Sequence, residues 1–190
     1  VIGIEESAIT PDMGEIVVTG ATGGVGTFAI MILSKLGFSV VASTRKIYEE
    51  KHLIGLGAER IINSEVFNGT PRLVDKETWA SAVDVIGGGT LSHIIAQTAR
   101  GGVISVCGQI QGINLNTNMA PFILRGIKLL GIDSAYCKKE KREYAWGRLV
   151  ELIDLDLIKP VITDISIDEV LLASNKIIEG KHKGRYIVNI

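Results

Sequence analysis

Short apolar runs rich in β-branched residues alternate along this chain with longer stretches whose apolar residues recur at helical spacing. The first run, Ile16 to Thr19, is continuous enough for a strand buried on both faces. It ends in Gly20-Ala21-Thr22-Gly23-Gly24-Val25-Gly26, and the apolar stretch after it predicts a helix from Gly24 to Leu36, closed by Gly37. The pattern then gives a second strand over Phe38–Ser43, a helix over Lys46–Leu56 ended by Gly57-Ala58, and a short third strand over Arg60–Asn63. Phe67 to Lys76 is polar, carries Gly69-Thr70-Pro71 and reads as a loop. Trp79 precedes a fourth strand over Ala82–Ile86; Gly87-Gly88-Gly89-Thr90 is a second strand-to-helix turn, and Leu91–Ala99 its helix. Arg100-Gly101-Gly102 reads as a turn, Val103–Gly108 as strand five, Pro121–Gly126 as a short helix and Lys128–Ile132 as strand six. Strands separated by helices in βαβ alternation predict an α/β fold: a doubly wound, six-stranded parallel sheet with helices on both faces.

The flanks differ. Ile2 to Met13 reads as a helix end and linker, with Thr10-Pro11-Asp12-Met13-Gly14 as turn chemistry. From Lys138 the chain becomes strongly charged and then amphipathic, which predicts one long surface helix to Leu157. Lys159–Ile162 and Asp164–Ile167 read as extended runs, Asp168 as the N-cap of a helix ending near Gly180, and Gly184–Ile190 as a terminal strand. The expected division is a linker over 1–14, a nucleotide-binding unit over 15–157 and a C-terminal segment over 158–190.

With 190 residues, 46% hydrophobic and 22% charged, the chain has the composition of an ordinary globular protein. A net charge of −1 provides no basic field to recruit nucleic acid or a membrane surface. No apolar run reaches the roughly 18 residues of a membrane span. Cys107 and Cys137 are too few for a disulfide framework and fit a reducing, cytoplasmic setting. Cys107, in an apolar strand, reads as an inert buried thiol. The chain opens on Val1 rather than Met and is expected to be part of a longer protein.

The chemistry concentrates at the first glycine turn. Gly20-x-x-Gly23-x-x-Gly26, set between a buried strand and a helix N-terminus, varies the dinucleotide fingerprint of the Rossmann fold. Glycines bring a pyrophosphate close to the backbone, and free N–H groups at the positive end of the helix dipole receive it. No Gly-Lys-Ser/Thr closes the turn, so it is not a nucleoside-triphosphate loop. At the end of strand two, where an acidic residue would bind an NAD ribose, stand Ser43, Thr44, Arg45 and Lys46. A carboxylate would repel a 2′-phosphate, whereas hydroxyls and an Arg bind one, so the residues favour NADP(H). Ser64 lies at the C-terminal end of strand three, on the ligand rim of such sheets. Asp84 reads as a backbone pin and His93 as a helix-face residue without chemistry. Tyr-x-x-x-Lys does not occur, and His52, His93, His182 and the cysteines show no metal-ligand spacing.

Thr19-Gly20-Ala21-Thr22-Gly23-Gly24-Val25-Gly26, Leu56-Gly57-Ala58, Trp79 before Val83-Asp84, Cys107-Gly108, and above all Pro121-Phe122-Ile123-Leu124-Arg125-Gly126 with Leu130-Gly131-Ile132-Asp133-Ser134 form a recognisable set. The chain resembles the acryloyl-CoA reductase (NADPH) branch of the zinc-free quinone oxidoreductases, within the medium-chain dehydrogenase/reductase superfamily. The resemblance implies that Thr22, Gly23, Gly24 and Val25 hold the pyrophosphate and that Ser43, Thr44 and Arg45 grip the 2′-phosphate. It places Gln109 and Ile123 at the nicotinamide end. Thr44 replaces a glycine common in the family, and Ser64 stands where some members carry an Arg. It further implies a GroES-like catalytic domain before the glycine turn, to which the C-terminal strands return. The expected activity is hydride transfer from NADPH to an activated C=C bond, with the catalytic acid outside this chain. A carbonyl or quinone reductase with another substrate, and a non-catalytic NADP-binding module for redox sensing or assembly, stay open. A homodimer across the edge of strand six, aided by Pro121–Gly126, is also expected; its rival is a monomer with that edge covered by the Lys138–Leu157 helix.

Overall fold

The buried runs come together as one six-stranded parallel sheet in the computed structural model, which describes residues 2–190. The chain order is α1 (Ile2–Glu5), β1 (Ile16–Val18), α2 (Gly24–Lys35), β2 (Val40–Thr44), α3 (Glu50–Gly55), β3 (Arg60–Asn63), β4 (Trp79–Asp84) and α4 (Gly88–Gln97). It continues with β5 (Thr98–Val106), α5 (Ala120–Arg125), β6 (Lys128–Gly131), α6 (Lys139–Leu152), α7 (Leu155–Ile158), β7 (Ile162–Ser166), α8 (Val170–Ile178) and β8 (Arg185–Asn189). The sheet runs β3-β2-β1-β4-β5-β6, every neighbouring pair parallel. Its strand order reverses between β1 and β4, and the crevice outside that reversal is where such sheets take ligands. This is the doubly wound Rossmann-type α/β architecture expected from the alternation.

Side-chain period explains how continuous apolar strands fill two cores. Ile16, Val18, Val40 and Ala42 point to one face, against Ile30 and Leu33 of α2 and Leu53 of α3. Val17, Val41, Ala82 and Ile104 point to the other, against Leu91, Ile94 and Ile95 of α4. At roughly 1.5–3 kcal/mol for each large apolar side chain buried, these layers hold the sheet and its ligand rim in place.

The boundaries depart from the pattern at several places. The expected helix Lys46–Leu56 is a 3-10 turn, Ile47–Glu49, followed by α3. Trp79 lies inside β4, its indole Nε1 donating to Gln97 Oε1 at 2.9 Å. Arg100-Gly101-Gly102 is not a turn but part of β5, where the register with β4 shifts between Trp79 and Ser81. Gly101 has φ +73, and a Cβ on Gly102 would stand 2.7 Å from the Ala80 carbonyl, so the glycines let the strand continue through an irregularity. The long surface helix breaks in two: the Asp154 carboxylate accepts from Asp156 N at 2.9 Å and starts α7 separately. Lys159–Val161 is a 3-10 turn rather than an extended run. Asp168 is not the cap: it lies inside a 3-10 turn, Ile167–Glu169, ahead of α8, and Ser166 and Glu169 form a capping box around that turn. Cys107 is not buried; it lies just past β5 and is exposed.

The C-terminal residues form their own small unit. β7 and β8 pair in parallel, connected by α8, apart from the main sheet. A backbone bridge between Gly23 and Gly184 ties this unit to the glycine turn. α6 packs on α2, and its Arg148 pairs with Glu5 of α1 at 2.8 Å.

Candidate functional site: a dinucleotide cleft on the sheet rim

The turn after β1 is built by close approach. Gly20 has φ +57, a left-handed conformation, and a Cβ there would lie 2.5 Å from Val85 Cγ2. Its carbonyl accepts from Gly23 N at 2.9 Å. A Cβ on Gly26 would fall 2.4 Å from that same carbonyl oxygen, so only glycine lets α2 seat directly on the turn. The first N–H groups of α2, on Gly24, Val25 and Gly26, have no intrahelical acceptor and point out along the dipole.

A buried pin fixes this turn to its counterpart after β4. Thr19 Oγ1 donates to Asp84 Oδ1 at 2.7 Å and accepts from Val85 N at 3.0 Å, while Gly87 N donates to Asp84 Oδ2 at 2.8 Å. Asp84 is fully buried, and that burial holds its carboxyl above the usual range against the opposing pull of these hydrogen bonds. Its part is structural: it sets the spacing of the two glycine turns.

Between the turns opens a cleft of about 650 Å³, in the size range of cofactor pockets. Of the residues singled out in the sequence, Gly20, Thr22, Gly23 and Gly24 line it on the turn side, and Ser43, Thr44, Arg45 and Ser64 at the β2–β3 end. Ser43 is buried, with a hydroxyl that has no partner among the described residues. Thr44 Oγ1 accepts from Lys46 N at 3.0 Å, so this residue shapes the turn that presents Arg45.

Four of the residues singled out do not line the cleft. Val25 is on the exposed side of α2, leaving only its N–H for a ligand. Gly26 is buried beneath the turn, where its role is packing. Gln109 lines a separate pocket of about 290 Å³ beside Gly87 and Leu115. Ile123 is 73% exposed on α5, away from both. Gln111 stands in the cleft where Gln109 was expected, its Oε1 accepting from Thr90 N at 3.1 Å and its own N–H donating to the Ile86 carbonyl at 2.8 Å.

The C-terminal unit closes the cleft, which the pattern did not reveal. Gly184 N donates to the Thr22 carbonyl at 2.9 Å. Arg185 lies over the start of α2: a Cβ on Gly24 would meet its Nε at 2.3 Å. The pair Gly184-Arg185, a left-handed glycine with φ +67 before a cation and a strand, was the available signal.

Although Cys107 as a residue is exposed, its Sγ is 3.7 Å from the Asp84 carbonyl, and partial desolvation of the sulfur on that side together with the Asp84 charge pushes its pKa up. The Arg125 of the Pro121–Gly126 block is also structural: its guanidinium donates to the carbonyls of Ala96 at 2.8 Å and Thr98 at 3.0 Å and pairs with Glu77 at 3.3 Å, clamping α5 to the end of α4.

Comparison with known proteins agrees with this geometry. The chain is 37% identical over 190 residues to the probable acrylyl-CoA reductase AcuI of Escherichia coli (strain K12), and 36% identical over 189 residues to the putative quinone oxidoreductase YhfP of Bacillus subtilis (strain 168). It is covered 100% and 98% in these alignments but spans only 58% and 57% of those relatives. Among solved structures it superimposes on Escherichia coli K-12 YhdH with bound NADPH at a TM-score of 0.95 and 37% identity, over 98% of this chain and 58% of that one. It superimposes on Bacillus subtilis YhfP with NAD bound at 0.91 and 37% identity, over 98% of this chain and 57% of that one. The family description "Zinc-binding dehydrogenase" matches residues 24–152, from the first turn of α2 to the end of α6. Carrying that match on a six-stranded dinucleotide sheet, the chain belongs to the zinc-binding dehydrogenase family, within the medium-chain dehydrogenase/reductase oxidoreductases.

Proposed function

We propose that this chain is the NADP(H)-binding part of a reductase acting on an activated C=C bond, with an enoyl-CoA thioester such as acryloyl-CoA as substrate. The observation that carries the cofactor reading is the end of β2: Ser43, Thr44 and Arg45 line the cleft with no carboxylate among them. The free N–H groups at the start of α2, with Thr22, Gly23 and Gly24 around them, receive the pyrophosphate, and Arg185 adds a cation over the same helix start. Ser43, Thr44 and Arg45 take the 2′-phosphate, and Ser64 faces the adenosine side. Thr90 and Gln111 bound the nicotinamide end, where Gln111 fixes the second glycine turn. Gln109, in the neighbouring pocket, and Ile123, on α5, keep the nicotinamide-side role that the family resemblance implies. Bound NADPH supplies a hydride to the β-carbon of the acceptor, whose α-carbon then takes a proton. The chain's own work is binding and orientation; no described residue is assigned as the proton donor.

The family name implies zinc, but no three His, Cys, Asp or Glu side chains cluster in a metal-holding arrangement among the described residues.

The chain spans 58% of its acrylyl-CoA reductase relative; on this reading the substrate-side residues belong to a catalytic domain outside the chain, and the 158–190 segment is the return to that domain. A homodimer through the β6 edge completes the proposal. β6 is the terminal strand of the sheet, and exposed Ile123 and Leu124 stand on the preceding α5. α6, the alternative cover for that edge, packs on α2. No described helix is long and apolar enough to cross a membrane, and the two free cysteines suit a reducing compartment such as the cytoplasm.

The test is NADPH oxidation by the full-length product of the gene that encodes this chain, offered acryloyl-CoA, crotonyl-CoA and simple quinones. Turnover is expected with the enoyl thioesters. Turnover with quinones alone would move the substrate to the class in the name of the Bacillus subtilis relative, and no NADPH-dependent turnover would remove the enzyme reading.

A further inference from the structure

Past the end of β6 the chain builds a turn that lies outside the cofactor cleft. β6 ends at Gly131, and Ile132 N donates to the Val106 carbonyl of β5 at 2.8 Å, which ties the outgoing chain to the ligand rim. One oxygen then organises the turn: Asp133 Oδ1 accepts from Ala135 N at 2.9 Å and from Tyr136 N at 3.1 Å. From α6, Arg142 donates Nη2 to the carbonyls of Ser134 at 2.8 Å and Ala135 at 3.3 Å. The turn is held from both sides, and what it holds out is Tyr136, 90% exposed. Cations follow the ring. Among the described residues, Lys138 and Arg142 have no carboxylate within ion-pair distance, and Lys139 has only Glu143 at 3.7 Å. Lys141 is engaged by Glu6 at 2.8 Å, and Glu140 is the one acid in residues 138–142. An open aromatic face next to unpaired cations suits a nucleotide: a base stacks on the ring, and phosphates meet the ammonium and guanidinium groups.

The pocket of about 290 Å³ links this turn to the nicotinamide end. It is lined by Gly87 and Gly88 of the second glycine turn at one end, by Val106 and Leu129, and by Gly131, the last residue of β6, at the other. Gly87 and Gly88 also separate it from the cofactor cleft: a Cβ on Gly88 would stand 2.8 Å from Cβ of Gln111, which lines that cleft. The ends of β4 and β6 have only β5 between them, so they are roughly 10 Å apart. The extended pantetheine arm of coenzyme A is longer than that span.

The geometry points to residues 133–142 as the docking site for the nucleotide end of a coenzyme A thioester: the adenine stacks on Tyr136, the phosphates meet Lys138, Lys139 and Arg142, and the pantetheine arm follows the pocket between the ends of β4 and β6 to the nicotinamide. This rests on the enoyl-thioester reading above and adds to it the residues that recognise the carrier and not the acyl group. Acryloyl is too small to supply much binding energy of its own; contacts made on the remote nucleotide hold its double bond at the hydride.

The test uses the full-length protein with NADPH and two substrates, acryloyl-CoA and acryloyl-pantetheine, which share the acyl group and the arm and differ in the nucleotide. Tyr136→Ala is expected to lower kcat/KM for acryloyl-CoA about tenfold, through KM, with acryloyl-pantetheine unchanged within about twofold. Tyr136→Phe keeps the ring and restores the difference. The double change Lys138→Ala with Lys139→Ala is expected to lower kcat/KM for acryloyl-CoA about tenfold or more and to flatten its dependence on salt, again sparing the pantetheine thioester. If the variants affect both thioesters equally, or neither, or if the unaltered enzyme turns over both with equal kcat/KM, the inference is overturned while the enoyl-thioester reading stands. If the unaltered enzyme reduces neither thioester, that reading falls and the inference with it.

Discussion

Replacing Thr19 by valine removes one oxygen from the pin that spaces the two glycine turns. The shapes nearly match, so the cost is in hydrogen bonding. Asp84 loses its Thr19 donor at 2.7 Å while keeping Gly87 N at 2.8 Å. A hydrogen bond to a charged group is worth about 1.5–3 kcal/mol. Val85 N loses its acceptor at 3.0 Å, and a buried donor left unpaired costs about 1–3 kcal/mol. Together these give about 2.5–6 kcal/mol, which for a chain of this length lowers Tm by roughly 5–24 °C. The effect depends on pH. Burial raises the folded Asp84 pKa above its ordinary value of 3.8, so between the unfolded and folded pKa the folded state binds more protons than the unfolded one and stability falls as pH rises. The Thr19 hydroxyl opposes this by stabilising the carboxylate. The Thr19→Val penalty is therefore largest above the folded pKa and shrinks as pH falls through it. Thermal denaturation followed by circular dichroism at neutral and acid pH measures both, with Thr19→Ser, which keeps the hydroxyl, expected to be mild. A Tm within roughly 2 °C of the unaltered chain at neutral pH would refute the pin.

Two further outcomes follow from the same geometry. Gly26→Ala pushes a methyl into the Gly20 carbonyl at 2.4 Å, which should cost about 1–3 kcal/mol of stability and weaken NADPH by moving α2 off the turn; denaturant midpoints together with cofactor titration report both effects. Leu130→Asp or Ile132→Lys should convert the full-length protein from dimer to monomer in sedimentation, and a dimer indifferent to both changes would remove the β6 edge as its interface.

Local pattern carried most of the sheet. In the main sheet most neighbours are brought together by βα units, β3 and β4 being joined by a 3-10 turn and a loop instead, so continuous apolar runs and glycine turns were enough to place six strands and the first turn. The rest depended on contacts far apart in sequence. Gly101 and Gly102 read as a turn because two glycines usually make one, but Ala80 on the adjacent strand turns them into a strand irregularity. Cys107 looked buried because its run is apolar, yet β5 ends one residue earlier. Gln109 and Gln111 are indistinguishable by type and neighbourhood; the bond from Thr90 decides which faces the cleft. Arg125, conspicuous in the Pro121–Gly126 block, clamps backbone carbonyls and not a ligand. The closing turn at Gly180–Gly184 meets the cleft only after the whole sheet is formed, so no window of sequence around Lys46 contains it.

The central claim is that Ser43, Thr44 and Arg45 make the β2 end of this cleft a 2′-phosphate site above a helix start that holds the pyrophosphate. Calorimetric titration of the 190-residue chain with NADPH and with NADH tests it most directly, repeated on Arg45→Ala. The account predicts that NADPH binds at least about tenfold more tightly than NADH, and that Arg45→Ala weakens NADPH by about 1.5–3 kcal/mol while leaving NADH nearly unchanged. Equal affinity for the two cofactors, or an Arg45→Ala loss shared by both, would contradict it.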